Sequence, residues 1–351
     1  MPSAALQPKA LHSPSACSRL ALTLGLALAC VLPVSALAQA GSRPALLFDS
    51  AASFYGAIAG SVQGGSGVNQ GDAVAPAGAL KLPASARFLL WVELASGQLN
   101  VLEQVAPDSL VLRKRIPVSI GKRGIGKLRE GDKKTPVGVY RLTSRLDDSQ
   151  LDDFYGLGAY PLNYPNARDQ QLGRTGHGIW LHGLPKHGGE RPLLDSDGCI
   201  VVDNESLVDL AANISTGETW IVMSPDDIQW VASDNQHDLR DSLDAALKAW
   251  ELAWEARDNN AYLSFYAADF SDLQRDKAQW SGYKTRVNNS KRNIQLEFSD
   301  MSMMLDPQQN ELVTVRYYQS YRSDNYNWAG WKEQVWRNSP EGWQIIYEGD
   351  S

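Results

Sequence analysis

Hydrophobic and polar positions along the chain fall into three regimes. The first holds one apolar run, Leu20 to Leu32, with Lys9 and Arg19 ahead of it and Ala36-Leu37-Ala38 behind. A core that short falls below the ~20 apolar residues of a membrane span, and its small-x-small exit predicts a cleaved signal peptide over residues 1–38. Gln39 to Ser85 is rich in Ala, Gly, Ser and Pro around Gly64-Gly65-Ser66-Gly67. It reads as a flexible linker over 39–85, with one short helix near Ala45–Ala59.

The second regime consists of short strand-like runs. Phe88–Leu94, the turn signal Ser96-Gly97 and Leu99–Leu102 predict a hairpin. Further strands are expected at Ser109–Ile120, Val137–Leu142, Gly178–His182, Cys199–Val202 and Thr219–Met223, with one helix over Asn204–Ile214 capped by Asn204. Many short strands with a single helix predict a mostly-β domain over 86–224. The third regime starts at residue 237. Leu239, Leu243, Ala246, Leu247, Trp250 and Trp254 recur at helical spacing, and shorter helices are expected at Ala261–Ala268 and Leu273–Ser290. Extended runs follow at Ile294–Leu305, Glu311–Arg322, Trp328–Asn338 and Gly342–Glu348, so residues 237–351 read as an α+β domain. Seven of the eleven tryptophans lie after residue 240, which suits a small domain closing its core with large side chains.

Composition narrows the function. A length of 351 residues suits two domains, and 43% hydrophobic with 21% charged residues is ordinary for a globular chain. Loss of residues 1–38 removes Lys9 and Arg19 and no acid, taking the net charge from −7 to −9, which argues against a nucleic-acid partner. It also removes Cys17 and Cys30, leaving Cys199 alone in an expected oxidising compartment. Structural cysteines there come in pairs, so a single thiol is a candidate reactive group.

The candidate chemistry sits in Gly176-His177-Gly178-Ile179-Trp180-Leu181-His182-Gly183 and Ser196-Asp197-Gly198-Cys199, with thirteen residues between His182 and Ser196. Cysteine attack needs a thiolate, and a nearby imidazole can take the thiol proton. The rival is zinc held by His177, His182, His187 and Cys199. Five-residue spacing along a strand puts His177 and His182 on opposite faces, and known knuckles use closer ligands. No metal and no cofactor is expected. A basic segment, Arg113 to Lys134, holds nine Lys/Arg against Glu130 and Asp132; it is a solvated loop or a collar for an anionic substrate.

His182-Gly183, the spacer and Ser196-x-Gly198-Cys199 resemble the active-site signature of L,D-transpeptidase catalytic domains of the YkuD type. Lys134-Thr135-Pro136-Val137-Gly138 is similar to that family's T-P-x-G segment. The resemblance spans roughly residues 86–224. It implies a β-rich catalytic sandwich acting in the periplasm on peptidoglycan stem peptides, with Cys199 as nucleophile at the diaminopimelate–D-alanine bond and His182 as base. By the same resemblance Ser196 and Gly198 shape the site, and the Gly183 carbonyl orients the imidazole. Two positions depart from the pattern: Asp197 stands where the family has His, and Val201 where it has Arg. Arg191 or Arg174, with His177, are the residues here that could hold substrate in its place. Residues 237–351 resemble a nuclear transport factor 2-like (NTF2-like) module, and the pairing resembles the helical-cell-shape L,D-carboxypeptidases. A zinc hydrolase and a non-catalytic wall-binding protein are the alternatives, and the C-terminal domain is a candidate surface for a homodimer or protein partner.

Overall fold

A computed structural model of the chain describes residues 74–351 apart from 190 and 233. The signal-peptide expectation and the short helix near Ala45–Ala59 lie outside the described residues.

The N-terminal half is built on a five-stranded sheet in the order Ser109–Pro117, Gln98–Ala106, Phe88–Glu93, Trp220–Ser224, Gly138–Arg141. Phe88–Glu93 is nearly continuous in hydrophobicity because both faces of its sheet are covered. Leu90 and Val92 look into a core with Tyr140, Leu181, Ile200, Val202, Ile221 and Met223. Leu89 and Trp91 look the other way, onto Ala75, Ala79, Trp220 and Met304. A second, four-stranded sheet runs Ile200–Val202, Trp180–Gly183, Gly158–Pro161, Leu146–Asp147 and closes the first core. The mostly-β expectation holds, but both sheets are mixed: Trp220–Ser224 runs parallel to Phe88–Glu93, and Ile200–Val202 parallel to Trp180–Gly183.

The linker expectation is corrected at its C-terminal end. Val74–Pro76 pairs with Trp230–Ala232, and Ala79–Lys81 adds to the C-terminal sheet beside Ile294–Leu305. Small residues suit a flexible chain, but here they permit close packing. Ala75 and Ala79 are buried against the outer face of the five-stranded sheet, while Leu80 enters the core of the following domain.

That domain starts at Asp234, slightly before the expected 237, with the helix Asp234–Glu255. Leu243, Leu247, Trp250 and Trp254 lie on one helical stripe and are buried. They pack with Tyr262, Trp280, Phe298, Tyr317 and Trp336 against the sheet Gly342–Asp350, Asn327–Ser339, Leu312–Ser323, Ile294–Leu305, Ala79–Lys81. Shorter helices, Asn259–Ser264 and Lys277–Asn289, complete the layer.

The two halves share contacts beyond these strands. The five-residue helix Ala167–Gln171, not foreseen in the sequence, buries Ala167 beside Ala267, Leu312 and Ile346. Gln171 Nε2 donates to the carbonyls of Ser271 (3.0 Å) and Ile346 (2.8 Å).

Candidate active site

Strand register brings the pair together. In the parallel ladder His182 faces Val201, so the two side chains share a sheet face. Cys199 precedes that strand by one residue and two positions before Val201, which by strand alternation puts it on the same side as His182. The sulfur lies 3.4 Å from the carbonyl oxygen of Gly178, and the residue is half-buried.

The turn that presents Cys199 is held by two hydroxyls. Ser196 Oγ donates to the Cys199 carbonyl (2.6 Å) and accepts the Gly198 N–H (3.1 Å). Thr135 Oγ1 donates to the Gly198 carbonyl (3.0 Å) and accepts the Gly121 N–H (2.9 Å). Gly198 adopts φ +127°, and a Cβ there would stand 2.8 Å from the Lys134 carbonyl oxygen, so glycine alone fits the turn.

His182 is 1% exposed, and its Nδ1 lies 2.7 Å from the Gly183 carbonyl oxygen. A carbonyl only accepts, so Nδ1 carries the proton and Nε2 keeps a lone pair for the thiol proton. Burial pushes the imidazole down to about 4; the Gly183 hydrogen bond opposes this and the Arg191 charge adds to it. Burial also pushes the Cys199 thiol up, against the Trp180 backbone N–H; Asp197 raises it further, and Arg191 and Lys127 pull it down. Both shifts favour the uncharged forms at rest, a neutral thiol at Cys199 and a neutral imidazole at His182.

Asn204, expected as a helix cap, has another task. The cap of Asn204–Ala211 is Asp203, which accepts from the Ser206 N–H (2.8 Å), because Asp203 has an extended backbone while Asn204 is already helical. Asn204 Oδ1 instead accepts the Leu157 N–H (3.1 Å), and its Nδ2 donates to the Leu184 carbonyl (2.9 Å). A Cβ at Gly183 would collide with that amide, which is why glycine follows the histidine.

The remaining expected residues separate. Arg191 stays at the site: its guanidinium lies 5.0 Å from the Phe154 ring centre, and that ring is 6.0 Å from the His182 ring. Arg174 does not; its Nη1 donates to Asp169 (2.8 Å), a carboxylate 1% exposed that also accepts from the Tyr140 hydroxyl (3.0 Å). It is a structural cation, matched to a buried carboxylate, and not the substrate ligand expected. His177 is exposed, with Nε2 3.5 Å from Glu130, one residue before the carbonyl that touches the sulfur. His187 stands 3.7 Å from Asp153, and among the described residues no group of three or more His, Cys, Asp or Glu side chains is arranged to hold a metal ion.

Part of the basic collar is paired. Lys122 and Lys133 reach Asp197 (3.2 and 3.8 Å), and the buried Lys127 meets Asp132 (2.9 Å). Sequence reasoning missed Phe154 and Tyr155, whose short 3₁₀ turn Asp153–Tyr155 sets the Tyr155 ring edge-on to His182 at 5.1 Å and 4.9 Å from Trp180. Two adjacent aromatics before Gly156 in an otherwise polar loop were the available signal.

Comparison with known proteins identifies the two domains. Residues 87–233 match the L,D-transpeptidase catalytic domain (YkuD), and residues 242–349 the Cds6 C-terminal NTF2-like domain. Bd1075 of Bdellovibrio bacteriovorus is 28% identical, superposes with a TM-score of 0.66, and the match covers 79% of this chain and 98% of that one. The helical cell shape determining protein Pgp2 of Campylobacter jejuni is 26% identical with a TM-score of 0.64, covering 78% of this chain and 95% of its own. No curated protein matches the chain significantly. The chain thus joins a YkuD-type L,D-transpeptidase catalytic domain, carrying Cys199 and His182, to a C-terminal NTF2-like domain.

Proposed function

We propose that the protein is an exported, periplasmic peptidoglycan enzyme that cleaves the diaminopimelate–D-alanine bond of stem peptides through a Cys199 acyl-enzyme, and so acts in cell wall organisation and cell shape. The observation that carries this reading is the Cys199–His182 arrangement, with Nδ1 committed to the Gly183 carbonyl and Nε2 left as base.

The steps balance on these two residues. His182 Nε2 takes the thiol proton as the sulfur attacks the diaminopimelate carbonyl, forming an S–C bond and an oxyanion. The imidazolium then gives its proton to the departing nitrogen as the C–N bond breaks, releasing D-alanine and leaving a thioester. Water or an amine attacks the thioester, His182 accepts its proton, and the sulfur leaves and regains it. Water gives L,D-carboxypeptidase trimming; an amine gives L,D-transpeptidation. The neighbour described as a helical cell shape determining protein shares both domains and supports a role in shape.

The test is incubation of the purified protein with tetrapeptide muropeptides beside Cys199→Ala, read by mass spectrometry. Loss of D-alanine alone, or appearance of linked dimers, supports the reading if Cys199→Ala does neither. Unchanged muropeptides in both samples overturn it.

A further inference from the structure

Arg191 has an unusual setting for a cation. Its side chain is 14% exposed, its Nε lies 3.2 Å from Asp195, and one face of the guanidinium is covered by Phe154 at 5.0 Å. Its Nη1 is enclosed and finds no acceptor among the described residues. A buried donor on a charged group left without an acceptor costs about 1–3 kcal/mol or more, so such a group calls for a partner. The position matters as much. Phe154 links the guanidinium to His182, and the Arg191 charge is felt at both His182 and Cys199. Several other cations around the turn are committed: Lys122 and Lys133 to Asp197, Lys127 to Asp132, Arg174 to Asp169.

We infer that Arg191 is the specificity-determining residue of the site, receiving the free C-terminal carboxylate of the residue that leaves on cleavage. This rests on the proposed function and names how it reads its substrate. A terminal residue differs from an internal one chiefly by its carboxylate, and a guanidinium is the side chain whose donor fork matches that group. The carboxylate supplies an acceptor for the guanidinium, which the Asp195 ion pair holds at Nε and the Phe154 ring covers on one face. Chains ending in an amide, or continuing past that residue, lose this contact.

The experiment compares a tetrapeptide muropeptide with a free C-terminal carboxylate and the same compound as its C-terminal amide, using the full protein and Arg191→Gln. A charge-assisted hydrogen bond implies that the wild type favours the acid in kcat/KM by roughly 10- to 100-fold. Arg191→Gln should lose that preference by slowing far more on the acid than on the amide, and an unchanged melting temperature and circular dichroism spectrum show that the protein remains folded. Arg191→Lys should restore part of it. Retained preference in Arg191→Gln overturns the inference, as does an equal loss on both substrates with Arg191→Lys no better. Binding of both peptides to Cys199→Ala, followed by calorimetry, gives the same comparison without turnover: the acid should bind more tightly only where Arg191 is present. A wild type that processes neither substrate overturns the proposed function itself, and this inference with it.

Discussion

Burial of His182 has a consequence for stability that can be measured without substrate. The imidazole is held down to about 4 in the folded protein against an ordinary value of 6.5. Above pH 6.5 it is neutral in both states and contributes no pH dependence. Between pH 6.5 and 4 the unfolded chain binds a proton that the folded protein refuses, so stability falls as the pH falls; below 4 both states bind it and the loss is complete. At pH 5 the loss is about 2 kcal/mol, and it approaches about 3 kcal/mol at pH 4. At 1% exposure, solvent offers His182 little relief from this cost. The perturbation is His182→Gln, which keeps a donor for the Gly183 carbonyl and cannot titrate. Urea unfolding of both proteins at pH 7.5 and pH 5 isolates the effect, because the carboxylates of the two proteins titrate alike and cancel. The wild type should lose about 2 kcal/mol more than His182→Gln over that interval. Parallel losses would refute the reasoning: His182 would then accept a proton as readily folded as unfolded, and the neutral resting base would have no support.

Other expectations follow from the same contacts. Thr135→Val keeps the shape but orphans the buried Gly121 N–H and Gly198 carbonyl; it should cost ~2–5 kcal/mol in urea unfolding and slow alkylation of Cys199 as the turn loosens. In the C-terminal domain Lys284 is buried between Trp254 (4.4 Å) and Trp280 (4.5 Å), 3.4 Å from Glu348, which also accepts from Tyr266 and Gln334. Lys284→Ala strands that carboxylate and should lower stability by ~3–5 kcal/mol, whereas Lys284→Met with Glu348→Gln should recover most of it, both by thermal or urea unfolding.

Periodicity made much of this architecture legible. The run Ile294–Leu305 was read from the sequence and is one strand with the same ends, and the buried stripe Leu243, Leu247, Trp250, Trp254 follows the expected helical spacing. Cys199 and His182 stand out in the sequence as candidates because a lone cysteine after glycine and a histidine before glycine are local signals. What escaped depends on distant partners. Parallel pairing of Trp220–Ser224 with Phe88–Glu93 joins segments far apart in sequence, and nothing in either states its direction. Residues 74–81 were read as linker because alanine, glycine and proline suit a loose chain and a tight interface equally well. Arg174 and Arg191 were indistinguishable as letters. Only the fold gives one of them a buried carboxylate in Asp169 and leaves the other an unmatched donor beside the base. Asn204 was displaced as cap by a difference in backbone conformation at a single residue, which composition does not encode.

Trapping the covalent intermediate tests the central claim most directly. The protein is mixed with a tetrapeptide muropeptide, quenched in acid within the first turnovers, and weighed intact, with peptide mapping of the adduct. The account predicts a mass gain equal to the muropeptide less D-alanine, located on Cys199, absent in Cys199→Ala and strongly reduced in His182→Ala. Turnover with no adduct on Cys199, or turnover that persists in Cys199→Ala, would contradict it.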